Sequence, residues 1–590
     1  MIIEEYKYDA LPAGNFMRVL TLLPEEAGEE LECTIQLVDL PGQYLQEISQ
    51  SPPKPNIKIE YDALSYVWGN KNPPSLIICE GKAIQITRNL EEALLHLRFR
   101  TEPRTLWVDN ICIDQGNVLE RNHQVNRMGQ IYSKAKKVLV WLGPSDVDTE
   151  PAFAAIRELH ENVKPAFKQV LGGFDHSIVP PGSRRWLSAT NLPSLFSLLR
   201  LLEKPWFDRA WTYQEILLAE RSLICCGNRR ISRRYFGSAL RTLTLIYWHT
   251  DLDFDIANVD RGTTVFTRRR EVAKMDNSSE LLLYLLKNQR GKQASDSRDL
   301  VYSILGIYNA FNLDGEMGEI EVDYRKDLRE TYASIARVLL PWSLGQVLNP
   351  SITDELPSWV PDWRIDESQR YSFTFRAEGL YYATGRSRLS VGESENPMEI
   401  KLLGIKTDII ASIADLAYKN QHMQEFMSRL ESEGRNMSYP ATGESIKVAF
   451  SRTKSADIEL TKGADFVRKG TDDINVSREY TKLFKENSLR KRRIFTTENL
   501  KIGLAPIFAR DGDIICLLLG AEAPFVLRRV LDTNKFRFVG ECYVHGLMDG
   551  EGLIEAMQEA NPAFEGGKQW LDSLDTLPEM PFPTDEITIL

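Results

Sequence analysis

The order of apolar and polar positions divides this chain into stretches of different rhythm. Residues 15–23 and 31–40 are apolar and β-prone and flank a polar, Gly-containing segment at 24–30, which predicts a hairpin. A Pro-rich segment at 51–55 closes that unit. The run Tyr61-Asp-Ala-Leu-Ser-Tyr-Val-Trp-Gly69 reads as a buried strand emptying into a loop. Asn89 stands as an N-cap before Leu90, Ala93, Leu94 and Leu97 at helical spacing, and residues 105–113 return to strand character. The pattern then repeats: Val125, Met128, Ile131, Tyr132 and Ala135 share one helical face, and residues 137–142 form a strand stopped by Gly143-Pro144. Strands alternating with helices imply a mainly parallel sheet with right-handed crossovers.

Beyond an irregular segment reaching to about residue 202, Pro205 followed by dense helix formers predicts a helix over 205–219, and residues 222–226 predict a strand. Helical periodicity dominates 231–348, whereas 357–404 and 494–547 carry short strand patterns with Gly-Asp and Asp-Gly turns. Residues 417–493 are polar and strongly charged and read as a surface excursion. The expected organisation is an N-terminal hairpin (1–55) packed on an α/β head (56–230), a helical region (231–350) and a β-rich C-terminal domain (351–590) with the charged insertion inside it.

Composition narrows the chemistry. At 590 residues the chain needs more than one core. Its formal charge of −11 argues against a specific nucleic-acid partner held by whole-molecule electrostatics. Seven cysteines, an odd and scattered set with no C-x-x-C pair, suggest neither a disulfide framework nor a metal site, and point to a reducing compartment. No secretory leader pattern and no apolar run of about 20 residues is present, so a cytoplasmic protein without a membrane span is expected. The basic run Arg490-Lys-Arg-Arg493 leaves a nuclear address open, and no G-x-x-x-x-G-K phosphate loop occurs.

Several blocks together resemble one family. These are the run from Tyr61 to Gly69, Leu106-Trp-Val-Asp-Asn-Ile-Cys-Ile-Asp-Gln115, Glu120-Arg121 with Gln124, Met128, Ile131-Tyr132 and Ala135, then Val138-Leu-Val-Trp-Leu-Gly143, and Arg209-Ala-Trp-Thr-Tyr-Gln-Glu215. In order and spacing they are similar to the heterokaryon-incompatibility (HET) domain of filamentous fungi, strongly over about residues 1–230. Asp296-Ser-Arg-Asp299, Leu356-Pro-Ser-Trp-Val-Pro-Asp-Trp363 and residues 540–548 resemble the tails of long HET proteins. The resemblance implies a nonself-recognition and regulated cell-death effector with a distantly TIR-like α/β head. Self-association, or pairing with another incompatibility protein, is the implied partnership.

The TIR likeness also implies a chemistry. In many TIR domains a Trp followed four positions later by Glu lies on a helix, and that Glu cleaves NAD; Trp211 and Glu215 have this spacing, which stacks the two side chains one turn apart. Nicotinamide is already a cationic leaving group, so one carboxylate facing an oxocarbenium-like ribose suffices, and NAD is the expected substrate rather than a required cofactor. Ser65 and the following residues would sit at the carboxyl edge of the sheet, with Tyr66 or Trp68 to stack on a ring and Gly69 to admit backbone approach; Asp109 and Asp114 flank the same edge. Plainer roles compete: Trp68, Trp107, Trp141 and Trp211 as core aromatics, Asp109 and Asp114 as turn caps, His123 and Gln124 as surface residues, Cys225 and Cys226 as buried thiols. The alternative to an enzyme is a signalling module that works by assembly alone.

Overall fold

The computed structural model describes residues 3–27, 30–40, 60–70, 72–170, 192–249, 256–275, 277–311, 320–340, 355–365, 380–416, 428, 439–460, 466–468, 492–576 and 580–590. The Pro-rich 51–55 segment and most of the charged 417–493 stretch lie outside them. Two compact units emerge, Met1–Arg325 and Lys326–Leu590.

In the first unit, β1 (Phe16–Leu22) and β2 (Glu32–Asp39) form the expected antiparallel hairpin. β3 (Asp62–Tyr66) is followed by a second hairpin, β4 (Ser75–Cys79) and β5 (Lys82–Ile86), whose half-exposed strands leave little apolar signature. α1 (Arg88–Leu97) is capped by Thr87, which accepts from Leu90 N, and not by Asn89. Asn89 turns inward instead, donating to Val67 O and accepting from Trp141 Nε1 at 3.1 Å. β6 (Arg104–Trp107) is shorter than the apolar run suggests, because Val108 O collects the amides of Ile111 and Cys112 and bends the chain into the single turn α2 (Asp109–Cys112).

α3 (Val118–Lys134), capped by Asn117, leads to β7 (Lys137–Trp141). Gln124, expected at the surface, is buried, and its Nε2 ties α3 to β1 by donating to Phe16 O at 2.8 Å. The segment read as irregular holds α4 (Thr149–Val170) and α5 (Leu192–Leu202). The helix expected over 205–219 is broken into a 3-10 turn (Pro205–Asp208) and α6 (Thr212–Leu218). Tertiary bonds override propensity there: Gln293 N donates to Asp208 O at 2.6 Å, Ala210 N to Gln293 O at 3.0 Å and Gln289 Nε2 to Ala210 O at 2.9 Å. After β8 (Ser222–Cys226) and β9 (Arg229–Ser232) come α7 (Arg233–His249), α8 (Ile256–Thr267), α9 (Arg269–Val272), α10 (Ser278–Gln289) and α11 (Asp299–Phe311).

The strands form one mixed sheet in the order β5-β4-β2-β1-β6-β3-β7-β8-β9, with a parallel block β6-β3-β7-β8. β3 is buried at every position, as a strand covered on both faces must be. β6 lies on one side of β3 and β7 on the other, so the chain order reverses at β3, the place where open α/β sheets accommodate ligands. α3, α6 and α11 pack together over this block. Gly129 of α3 and Gly306 of α11 let two helix backbones meet, and Gln214 of α6 accepts from Gly306 N at 2.8 Å.

The second unit opens with α12 (Leu328–Leu339), which has an Asp327–Glu330 capping box. Its strands are β10 (Val391–Gly392), β11 (Ile400–Leu416), β12 (Ile458–Leu460), β13 (Phe466–Arg468), β14 (Arg492–Thr497), β15 (Ile502–Pro506), β16 (Ile514–Leu518), β17 (Phe525–Arg529), β18 (Lys535–Glu541), β19 (Tyr543–Val544) and β20 (Asp585–Ile589). The long β11 pairs with both β20 and β16, which closes β11-β16-β17-β18-β20 into a barrel without a free edge, while β14, β15 and β19 extend from it. Within the excursion, α13 (Ile446–Lys454) packs Ala449 and Phe450 into the core with Tyr439, Ile494 and Tyr543. Half of the basic run is strand: Arg492 is buried and donates to Glu541 O, and Arg493 donates to Ala414 O and Ala509 O at 3.0 Å. A nuclear address requires an accessible extended run, so these two arginines do not serve as one.

The glycine crossing yields a test. Helical Gly→Ala ordinarily stabilises by about 1 kcal/mol. At Gly306 the new Cβ would stand 2.7 Å from Gln214 Cδ and 2.9 Å from Gly129 Cα. Gly306→Ala is therefore expected to cost about 1–2 kcal/mol net, read as a lower midpoint of the first unit's unfolding transition.

Candidate active site

Glu215 lies in the first turn of α6, one helical turn beyond Trp211, whose carbonyl accepts its amide at 3.2 Å. The carboxyl is 1% exposed. Ser65 Oγ, on β3, donates to Glu215 Oε2, and Trp206 Nε1 in turn donates to Ser65 Oγ at 2.9 Å. The serine oxygen thus accepts from the indole while its own hydrogen serves the glutamate, so one hydroxyl bridges the two groups. Tyr132 of α3 stands within hydrogen-bonding reach of the same carboxylate and donates to Leu64 O at 3.0 Å.

Asp109 closes the cluster from the end of β6. Its Oδ2 accepts from Trp68 Nε1 at 2.7 Å and its Oδ1 from Asn110 N at 2.8 Å. Tyr66, fully buried on β3, faces Asp109, and burial together with that carboxylate drives its phenol well above the usual range. Ser65, Tyr66, Trp68, Asp109, Trp211 and Glu215 thus come together at the carboxyl edge of β3 and β6, where the chain order reverses. Gly69 sits at the exposed end of that loop with φ +73°, a conformation glycine adopts without strain. Asp114 is not drawn in: it accepts from Gly116 N at 3.0 Å and shapes the turn before α3. Trp107 and Trp141 are core aromatics, and Cys225 and Cys226 are buried thiols.

Sequence reasoning missed three charged or polar members. Arg209, half-buried, is opposed in its charge by burial but has its pKa raised by Glu215 and Asp109 beside it. Asp299, at the start of α11, accepts from Tyr324 Oη at 2.5 Å and lies within hydrogen-bonding reach of the Trp211 indole. Trp206 holds Ser65. Arg209 opens the block that ends in Glu215 and Asp299 ends the Asp296 block, so their membership of family-like blocks was the available signal.

Burial dominates the titration. It pushes Glu215 up to about 7 against the pull of Arg209 and the Ser65 hydrogen bond, and Asp299 up to about 6 against the bonds from Tyr324 and Trp211. Asp109 is also raised by burial, with Arg209 and Trp68 opposing. A group with a folded pKa near 7 holds its proton or releases it at neutral pH, which suits general acid–base or electrostatic work at a developing cation.

Residues 61–215 match the family described as heterokaryon incompatibility protein (HET), and residues 419–561 match the Het-6 beta-barrel domain, which falls on the barrel-bearing unit. Heterokaryon incompatibility protein 6, OR allele, of Neurospora crassa is 24% identical over 696 aligned positions that span 94% of this chain and 97% of that protein. No solved structure matches.

The raised Glu215 pKa sets a stability test. A carboxyl whose pKa rises on folding contributes most below its unfolded value of 4.5, and that contribution is lost as pH rises to about 7, a span of roughly 3 kcal/mol. Glu215→Gln, uncharged at every pH, is expected to flatten the decline in melting temperature between pH 4.5 and 7 and to match or exceed the wild type at pH 8. An unchanged slope in the variant would place the pH dependence elsewhere. With HET blocks in its first unit, a closed barrel in its second and a full-length relative of that kind, the chain belongs to the heterokaryon incompatibility (HET) protein family.

Proposed function

We propose that this protein is a nonself-recognition and regulated cell-death effector whose first unit cleaves NAD through Glu215, in the manner the TIR likeness implies. The observation that carries the reading is the convergence of Glu215, Ser65 and Asp109 at the carboxyl edge of β3, where the order of strands reverses. Charge supports it. Asp109, Glu215 and Asp299 gather near Arg209, and because burial opposes their ionisation, a cationic group beside them, such as the pyridinium of NAD, would favour their charged forms. In this reading ionised Glu215 faces the ribose as nicotinamide departs, Ser65 orients the carboxylate, and Trp68 or Tyr66 stacks on a ring. Tyr66 is fully buried, which makes the half-buried Trp68 the better platform.

The enclosure of Glu215 favours a second reading, in which the cluster is a structural knot and the head signals by self-association or by binding another incompatibility protein. One experiment separates the two. Purified protein, concentrated or with a crowding agent, is incubated with NAD and nicotinamide release is followed. Glu215→Gln is expected to reduce release at least about a hundredfold, and Ser65→Ala about tenfold, while thermal unfolding shows each variant folded. Growth arrest that persists in folded Glu215→Gln, with no release by the wild type, would establish assembly instead.

A further inference from the structure

Residues 320–325, the last of the first unit, belong to no helix or strand ladder, yet they are held at many points. Asn126 Oδ1 accepts from Val322 N and Asn122 Oδ1 from Tyr324 N, each at 3.1 Å; Asn122 Nδ2 donates to Asp323 Oδ1 at 3.2 Å. The spacing explains the fit. Two residues four apart on a helix are separated by about 6 Å along its axis, close to the roughly 6.7 Å between alternate amides of an extended segment. The two carboxamides of α3 therefore grip every second N–H of the segment. Tyr302 Oη donates to Asp323 O at 3.0 Å, Arg298 Nη1 to Tyr324 O at 2.9 Å, and the Arg121 guanidinium lies 4.0 Å from the Tyr324 ring centroid. Val322 is buried.

The end of the segment reaches the candidate site. Tyr324 Oη donates to Asp299, which stands within reach of the Trp211 indole, and Trp211 precedes Glu215 by one turn of helix on the same side. We infer that residues 320–325 are a latch: docked on Asn122 and Asn126, they hold the start of α6, where Trp211 precedes Glu215, through Tyr324 and Asp299, and undocking frees that turn and opens the site. The latch is made of side-chain bonds rather than a ladder, so it releases without unfolding α3 or the sheet. It runs straight into Lys326, the first residue of the second unit, which gives events there a covalent path to it. Its consequence for catalysis rests on Glu215 being the working carboxylate, but the latch itself is measured without NAD.

The test is hydrogen exchange on the full chain, comparing wild type, Asn122→Ala/Asn126→Ala and Tyr324→Phe. Asn126 is exposed, Asn122 half-buried and alanine a better helix former, so the double variant keeps α3. The double variant is expected to speed exchange of the Val322 and Tyr324 amides about tenfold, and also to speed exchange in the first turn of α6. Tyr324→Phe is expected to loosen that turn of α6 while the segment stays docked. Unchanged exchange at 322 and 324, or faster exchange confined to 320–325, overturns the latch. NAD turnover is scored separately: a rise in the double variant that Glu215→Gln abolishes supports both readings. No turnover in any form, with the exchange pattern as expected, sinks the NAD reading and leaves the latch standing.

Discussion

The arrangement of the head depends on one proton, the one Ser65 gives to Glu215. A carboxyl with almost no exposure is costly to bury unless donors meet it, and the costs of an unmatched charge run to several kcal/mol. Trp206 donates to the same serine oxygen and so helps fix its position beside the carboxylate. Trp206 is itself fixed in an aromatic cluster, 5.2 Å from Phe207 and 5.7 Å from Phe266, with Phe236 behind them. A central strand, a short helix and the aromatic layer of α7 and α8 are therefore tied through a single hydroxyl. Whatever moves Trp206 moves the serine, and whatever moves the serine frees or strands the carboxylate.

The family-like blocks divide sharply once their partners are visible. Many of their residues are clamps: Tyr61 Oη donates to Ile131 O at 2.7 Å, Gln124 joins α3 to β1, Glu120 receives the buried Arg18 and also Asp114 N, and Gln214 caps the meeting of Gly129 and Gly306. Others, Ser65, Trp68, Asp109, Arg209, Trp211 and Glu215, lead to one cluster. The clamps hold β3, α3 and α6 in fixed relation, and the cluster sits where those three meet. A block motif in this fold thus records a scaffold and a site interleaved residue by residue, so motif membership alone cannot assign a role.

Legibility in the sequence followed the same division. Buried parallel strands announce themselves as unbroken apolar runs, so β3 and β7 were readable; the antiparallel β1–β2 hairpin was readable from two β-prone stretches flanking a polar, Gly-containing turn, and the helical face of α3 from its spacing, with Tyr132 on it. The half-exposed β4–β5 hairpin had no such run, and the helix expected over 205–219 broke because residues 289–293, distant in sequence, take over the backbone bonds of 208–210. Proximity of Glu215 to Ser65 followed from the resemblance and from the rule for sheet edges. The roles of Arg209 and Asp299 did not, since opposing charges far apart in sequence carry no spacing signal. The placement of Arg492 was illegible for a similar reason: nothing local reveals that it finds Glu541 O inside a sheet.

Magnitudes connect the buried carboxyl to the latch. Burial holds Glu215 at a pKa near 7 rather than 4.5, so the ionised carboxylate is disfavoured inside the folded head. Against that, the docked segment makes seven hydrogen bonds among the described residues, through Asn122, Asn126, Tyr302, Arg298 and Tyr324, at about 0.5–1 kcal/mol each. If undocking lets water reach the carboxylate, these terms oppose each other, and an element set between opposing terms is one that a modest differential interaction elsewhere in the chain can tip. A far stronger dock would leave the carboxylate permanently sealed, and a far weaker one would leave it open without a trigger. An effector that must stay silent until prompted is best served by the balance between them.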